Sequence, residues 1–463
     1  MERTSPNLRH RLSSAIRRLS PHLSRTGWST ADALAGPLLS FAVSPILLAH
    51  LDTRGFGLWA FAVAIAGFGG LASMGVGVAV TKYVAEDRAS GRPQDAVAAI
   101  RAAMSVALVG GLMLLVVGAF LTPFLAKTAF VRMGPPAEVS TILMLGIAIL
   151  AVQEIDSVFT GALRGAQRFD VAAQIEIAIR LLWVGAVVGT AWMTRSATDA
   201  LIASVVVGTL KVVVKGSVTQ RILKGPCMVP SRATAPIQRV LRMGKWLWVQ
   251  GVGGLLFSVV DRLAVGAIFG PIDLARYSIC MQLAQLVHGV QATALQPVVP
   301  WISSRLASRQ STSVTTLTRI SVLGGMACTV VPLTLLTFAD TFLGAWIGAQ
   351  FAQENSGVCR VLLAAYGLLA FNIPVHYLLL GLGNVRFLAT TNILAGVLSL
   401  GASLLLSYWG FTAFVLGKLL FAPLIFLNFI ALRKSAYAAV KVVADESAMS
   451  SANNLPSQPT KPH

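Results

Sequence analysis

The chain has 463 residues, 55% of them hydrophobic and 12% charged, with a mean hydropathy of +0.73 and a net charge of +19. Apolar runs of roughly 20 residues follow one another from Trp28 to about Leu432, each long enough to cross a hydrocarbon core about 30 Å thick. An ordinary soluble domain is excluded, and the positive charge fits the accumulation of Lys and Arg in cytoplasmic loops, so no nucleic-acid partner is expected.

In chain order, a basic tail (1–27) precedes the first apolar run. That run is too long for the core of a signal peptide and no convincing cleavage site follows it, so it reads as an uncleaved span. Twelve spans are expected, at about 28–50, 56–84, 99–122, 139–163, 173–194, 198–215, 246–269, 274–300, 317–338, 358–382, 386–408 and 411–432. They divide into a first six-helix bundle (28–215), a basic cytoplasmic connector (216–245) and a second six-helix bundle (246–432). The tail after it (433–463), with its Ser, Asn and Pro, reads as disordered. The fold class is therefore an all-α polytopic membrane protein. Four scattered cysteines (Cys227, Cys280, Cys328, Cys359) form neither a metal-ligand spacing nor a disulfide framework. No P-loop is present, the Gly-rich stretch from Gly67 to Gly77 lies inside a span where close helix packing explains it, and no cofactor is expected.

Charge sets the orientation. With a cytoplasmic N-terminus, the cytoplasmic segments hold 27 cations and the opposite side 6, namely Arg54, Lys127, Arg132, Arg195, Arg276 and Arg360. Both termini are then cytoplasmic, as an even number of spans requires.

The halves repeat at an offset of 218 residues: Trp59 aligns with Tyr277, Arg168-Phe169 with Arg386-Phe387, and Gly165 with Gly383. Six spans per half is an even number, so the two halves run in the same direction, a parallel repeat with a central cavity between them and rocking as the route to alternating access.

Three stretches carry a family resemblance: "LLSFAVSPILLAHLDTRGFGLWAFAVAIAGFGGLASMGVGVAVTKYVAE", "TGALRGAQRFDVA" and "LFSVVDRLAVGAIFGPIDLARYSICMQL". They resemble Wzx-type polysaccharide flippases of the multidrug/oligosaccharidyl-lipid/polysaccharide superfamily. The resemblance implies a transporter rather than an enzyme, working without ATP in the bacterial inner membrane. Its cargo would be an undecaprenyl-diphosphate-linked oligosaccharide destined for O-antigen, capsule or exopolysaccharide. Membrane lipid surrounds it, H+ or Na+ are the candidate coupling ions, and the polysaccharide polymerase and chain-length machinery are the candidate protein partners. Two rivals stand: an organic-cation antiporter of the same superfamily, whose cavity should be acidic, and a membrane-embedded polysaccharide polymerase. The polymerase needs a large outer loop, and the longest here, about 339–357, offers Asp340 and Glu354 but no His.

A diphosphate headgroup needs a wet, cationic path, and ionisable groups inside spans usually face an interior. Glu176 and Arg180 share a helix face and can pair. Asp261 and Arg262 point about 100° apart, so Asp261 faces a cavity or an interhelical bridge. Lys418 lies about two turns into the last span, Lys211 lies near a cytoplasmic end where it can snorkel, and Arg164 and Arg168 sit at the cytoplasmic mouth. These eight are the candidate substrate-binding residues. Asp32, Glu154 and Asp156 lie towards cytoplasmic ends and read as solvated carboxylates; His288 and His376 read as packed polar residues. Pro37, Pro45, Pro374 and Pro423 interrupt spans, as kinks or as bends for rocking.

Overall fold

The computed structural model describes residues 7–69, 75–241, 255, 259–308, 313–422, 427–435 and 437, with side chains from residue 34 onward apart from 306 and 307. Those residues are almost wholly helical, and eight helices are long and apolar enough to cross a membrane. The protein is an all-α multi-pass membrane protein.

Two compact units divide the chain at Gln282/Leu283. The first contains α1 (Asn7–Ala66), α2 (Val76–Ala89), α3 (Pro93–Lys127), α4 (Pro136–Gly165), α5 (Phe169–Thr194), α6 (Ala197–Leu223) and α7 (Val260–Phe269). α8 (Pro271–Leu295) starts in the first unit and ends in the second. The second unit continues with α9 (Val298–Ala307), α10 (Val314–Thr337), α11 (Ala339–Trp346), α12 (Ala349–Phe371), α13 (Ile373–Gly381), α14 (Val385–Leu406) and α15 (Phe411–Leu416).

Several predicted spans are built from two helices. The last is α15, the 3-10 turn Gly417–Phe421 and helical residues 427–435. The first two predicted spans meet inside α1, where Asp52 breaks the helix with φ 60° and ψ 177°. Gly270, 218 residues later, takes nearly the same conformation (φ 88°, ψ −172°) between α7 and α8. That region suits glycine and costs another residue on the order of 1–3 kcal/mol. Asp52 offsets part of this by accepting the Gly55 backbone N–H at 2.7 Å, so it caps the helix that follows.

A second turn repeats bond for bond, at an offset of 216. After α4, the N–H groups of Ala166, Gln167 and Arg168 bond the carbonyls of Ala162, Arg164 and Leu163; after α13, those of Leu382, Gly383 and Asn384 bond the carbonyls of Leu378, Leu380 and Leu379. Gln167 and Gly383 take the left-handed position, a glycine-type helix end in both halves.

In the first unit, small residues fix the helix crossings. A Cβ at Gly161 of α4 would stand 2.2 Å from the Gly77 carbonyl of α2, and one at Gly165 would stand 2.6 Å from the Thr81 carbonyl. A Cβ at Gly57 would stand 1.9 Å from the Pro271 carbonyl. Backbones approach closely where no side chain intervenes, which is how helices gain contact inside a membrane. Gly77 thus packs as the composition of its stretch suggests, while residues 70–74 lie outside the described residues.

The connector is docked. α6 runs on to Leu223, eight residues beyond the predicted span. Beyond it, the Ser231 N–H bonds the Arg101 carbonyl at 3.1 Å, Arg101 Nε donates to the Val229 carbonyl at 3.1 Å, and Ser105 Oγ donates to the Ser231 carbonyl at 2.6 Å. Helical residues 234–241 then place Arg239 on the end of α2. It donates to Asp87 Oδ2 at 2.9 Å, lies 4.0 Å from the Tyr83 ring centre, and leaves its carbonyl to the Tyr83 hydroxyl at 2.9 Å. The hydrogen bond to Asp87 holds the guanidinium pKa above its ordinary value. The docked strap buries Cys227 completely. Residues 242–245 of the connector, the predicted span residues 246–254 and, apart from 433–435 and 437, the C-terminal tail lie outside the described residues, and no side chain of the N-terminal tail is described.

Burial pushes the Cys227 thiol up to about 11, so roughly one thiol in 10⁴ is ionised at pH 7. Maleimide labelling of Cys227, in a variant lacking the other three cysteines, is expected to be slow at pH 7. Arg239→Ala, which removes the clamp on Asp87, should speed it at least tenfold. Equal rates in both proteins would show that the strap does not depend on Arg239.

Candidate functional site: a buried charge cluster beside a cavity

Three helices of the first unit bring five charged side chains together. α5 contributes Glu176 and Arg180, α6 contributes Lys211 and Lys215, and α4 contributes Asp156. Each pair on one helix is spaced four residues apart and so shares a face. Arg180 Nη2 lies 3.3 Å from Glu176 Oε1, on which Lys211 Nζ also converges at 3.4 Å. Lys211 Nζ reaches Asp156 Oδ2 at 3.1 Å.

Lys215 is the centre of the cluster. Its Nζ donates to Glu176 Oε2 at 2.6 Å, to Asp156 Oδ2 at 3.1 Å and to Thr160 Oγ1 at 2.8 Å, and its side chain is 1% exposed. All three ammonium donors are accounted for. Three cations against two carboxylates leave one net positive charge inside a bundle that must sit in hydrocarbon.

The cluster borders open space. A cavity of about 220 Å³ is lined by Glu176, Arg180, Lys211, Gln153, Trp183 and Ser204, among others. A second, of about 560 Å³, shares Ser40, Ile149, Gln153, Trp183 and Ser204 with it. Trp183 Nε1 donates to Ser204 Oγ at 3.0 Å, which fixes the indole on the wall. The Arg180 guanidinium lies beside Gly36 of α1, where a Cβ would stand 3.4 Å from its carbon, at ordinary contact distance. Of the three cations, Arg180 and Lys211 face the cavity, while Lys215 sits behind them.

The other expected residues are elsewhere. Arg164 and Arg168 are exposed at the α4–α5 turn, where Arg168 pairs with Asp170 at 3.2 Å. Asp261 is 1% exposed and is held by the Tyr277 hydroxyl at 2.5 Å and the Arg262 N–H at 2.8 Å. It ties α7 to α8, and neither it nor Arg262 lines the two cavities. Lys418 is buried in the second unit, in the 3-10 turn Gly417–Phe421.

Three expectations need correction. Glu154 and Asp156 are buried rather than solvated, because α4 keeps both within the bundle. Lys215, expected at the very end of the sixth span, is inside the helix bundle because α6 does not end there. Lys211 does not snorkel; two carboxylates hold it. The Asp32 side chain lies outside the described residues. Among the described residues no group of three metal-ligating side chains occurs.

Breaking a buried pair leaves an uncompensated charge and costs about 3–5 kcal/mol. Lys215→Ala is expected to lower the detergent-solubilised Tm by many degrees. Arg180→Ala, which removes one half-exposed pair, should stay within a few degrees of wild type. A Lys215→Ala protein as stable as Arg180→Ala would show that Lys215 is not the structural centre.

A sequence profile of the family described as "Polysaccharide biosynthesis protein" matches residues 23–306. No curated protein matches in a sequence search. Among solved structures, the lipid II flippase MurJ in an inward closed conformation aligns with a TM-score of 0.65 at 10% identity, over 94% of this chain and 93% of that one. An inward-facing multidrug-resistance MATE transporter of the MOP superfamily aligns with a TM-score of 0.62 at 15% identity, over 90% and 99%. A mutant of the Vibrio cholerae MATE transporter VcmN aligns at 0.56 with 13% identity, over 92% and 98%. At these identities the likeness is one of fold.

Proposed function

The chain belongs to the polysaccharide biosynthesis protein family, and on that premise we propose that it is a flippase for an undecaprenyl-diphosphate-linked oligosaccharide. The cargo moves from the cytoplasmic to the periplasmic leaflet of the bacterial inner membrane, for O-antigen, capsule or exopolysaccharide synthesis. Both termini are cytoplasmic in this proposal, as the loop charges require, and polymerase and chain-length proteins act downstream.

One observation supports this most: Arg180 and Lys211 line a cavity inside a membrane-spanning unit, next to a cluster whose net charge is positive. A cation antiporter needs the reverse sign. The two cavity cations are not bare. Glu176 pairs with both of them and Asp156 with Lys211 while the cavity is empty, so neither charge is held isolated in a low dielectric. An arriving diphosphate replaces Glu176 at Arg180, where the planar guanidinium donates paired N–H groups to phosphate oxygens. Lys215 keeps Glu176 and Asp156 in place during the exchange. Arg164 and Arg168, exposed at one end of α4 and α5, form the first electrostatic contact, and Lys418 and Arg262 serve later positions on the path.

The membrane potential assists. Outward movement of an anion is worth about 2.3 kcal/mol per charge per 100 mV, so the chain needs no chemistry of its own on the cargo.

A deletion strain complemented with wild type should export surface polysaccharide. One complemented with Arg180→Ala should accumulate lipid-linked repeat units in the cytoplasmic leaflet and export at least tenfold less, at equal protein level. Normal surface polymer in the deletion strain itself would remove this proposal and favour a drug antiporter.

A further inference from the structure

Glu154 and Asp156 are two residues apart on α4, so they point to opposite sides of it. Asp156 faces α5 and α6 and joins the charge cluster. Glu154 does not. It is 4% exposed, and among the described residues its Oε1 has no hydrogen-bond partner.

Its surroundings follow from the helix face. Ile147, Ala151, Glu154 and Val158 share one side of α4. Ile147 lies against Gly118 and Ala151 against Gly111, both on α3. Val158 is in the apolar core with Val76 and Val80 of α2 and with Met104 and Ala107 of α3. Glu154 is therefore set in the seam between α4, α3 and α2.

That seam offers no ionic partner. α3 carries no ionisable residue from Ala102 to Ala126, nor does the chain from Gly55 to Thr81, which includes the part of α1 packed on α4. On α5 and α6, the charges near α4 are Glu176, Arg180, Lys211 and Lys215, bound to one another and to Asp156. An ionised carboxylate with no partner is too costly in hydrocarbon to persist.

We propose that Glu154 is a proton-binding site. Its carboxyl is a neutral acid while the α2–α3–α4 seam is closed, and it releases one proton to water, becoming a carboxylate, when the seam opens during the transport cycle. The proton is then the coupling ion. The coupling step rests on the flippase proposal above; the protonation of Glu154 does not.

Infrared spectroscopy on the full-length protein in lipid nanodiscs tests the site. Wild type at pH 7 should show a carboxylic-acid C=O band that shifts in D2O and is absent from Glu154→Gln, an isosteric change that mimics the neutral acid and should fold. Asp156→Asn should leave that band in place. Identical spectra for wild type and Glu154→Gln would overturn the proposal, since Glu154 would then be ionised. Coupling is tested in proteoliposomes with a fluorescent short-chain polyprenyl diphosphate as the probe. An imposed pH gradient should accelerate its movement by wild type. Glu154→Gln should move it with the gradient response reduced at least tenfold, and an unchanged response would overturn the coupling step. Failure of wild type to move the probe at all would count against the flippase proposal, while the infrared result still decides the proton site.

Discussion

An unpaired charge cannot stay in hydrocarbon, and the first unit is arranged around that constraint. Lys215 meets it by donating to two carboxylates and a hydroxyl, which ties α4, α5 and α6 into one register. Glu176 in turn touches Arg180, Lys211 and Lys215. A slip of one residue in any of the three helices would turn a charged group about 100° away and leave its partners uncompensated. The glycine crossings of α4 with α2 act on the same helix from another side. On the cavity wall beside the cluster, Trp183 is fixed by its bond to Ser204.

The spans were legible because hydrocarbon demands length and apolarity, and both are sequence properties. So was the pairing of Asp52 with Gly270, at the fixed offset of 218; the end of α4 matches the end of α13 at 216, so the expected alignment of Gly165 with Gly383 is two residues out. The slip from 218 to 216 between those turns arises in the intervening chain and has no local signal. The cluster was legible only in part. Glu176 and Arg180 sit four apart on one helix, so their pairing follows from spacing alone. Lys211 and Lys215 have the same spacing, as do Asp156 and Thr160, yet the polar run after Lys215 suggested that the membrane ended there. α6 continues instead to Leu223, and the docked strap from Cys227 to Ser231 covers its flank. That coverage depends on long-range contacts with Arg101 and Ser105, which no local pattern announces.

Asp261 shows the opposite case. By type and position it matches a transport carboxylate, but Tyr277 and the Arg262 backbone occupy its oxygens. A buried carboxylate with two donors is a fastener between α7 and α8, and residue type alone cannot separate that from a binding group. The distinction lies in what the oxygens touch.

α4 separates two kinds of carboxylate by face. Two lysines reach Asp156, and among the described residues none reaches Glu154. Their backbones are two residues apart, so no motion of α4 can shift one without the other. Displacement of α4 that loosens Asp156 from Lys211 frees that cation for an anion in the cavity, while Lys215 keeps its hold on Asp156. The same displacement parts the seam against α2 and α3 and admits water to Glu154. Return of the proton lets the seam close and Asp156 take back Lys211, which displaces the anion. Cargo uptake is thereby paired with proton release and cargo release with proton uptake, the exchange that an inward-directed proton gradient drives.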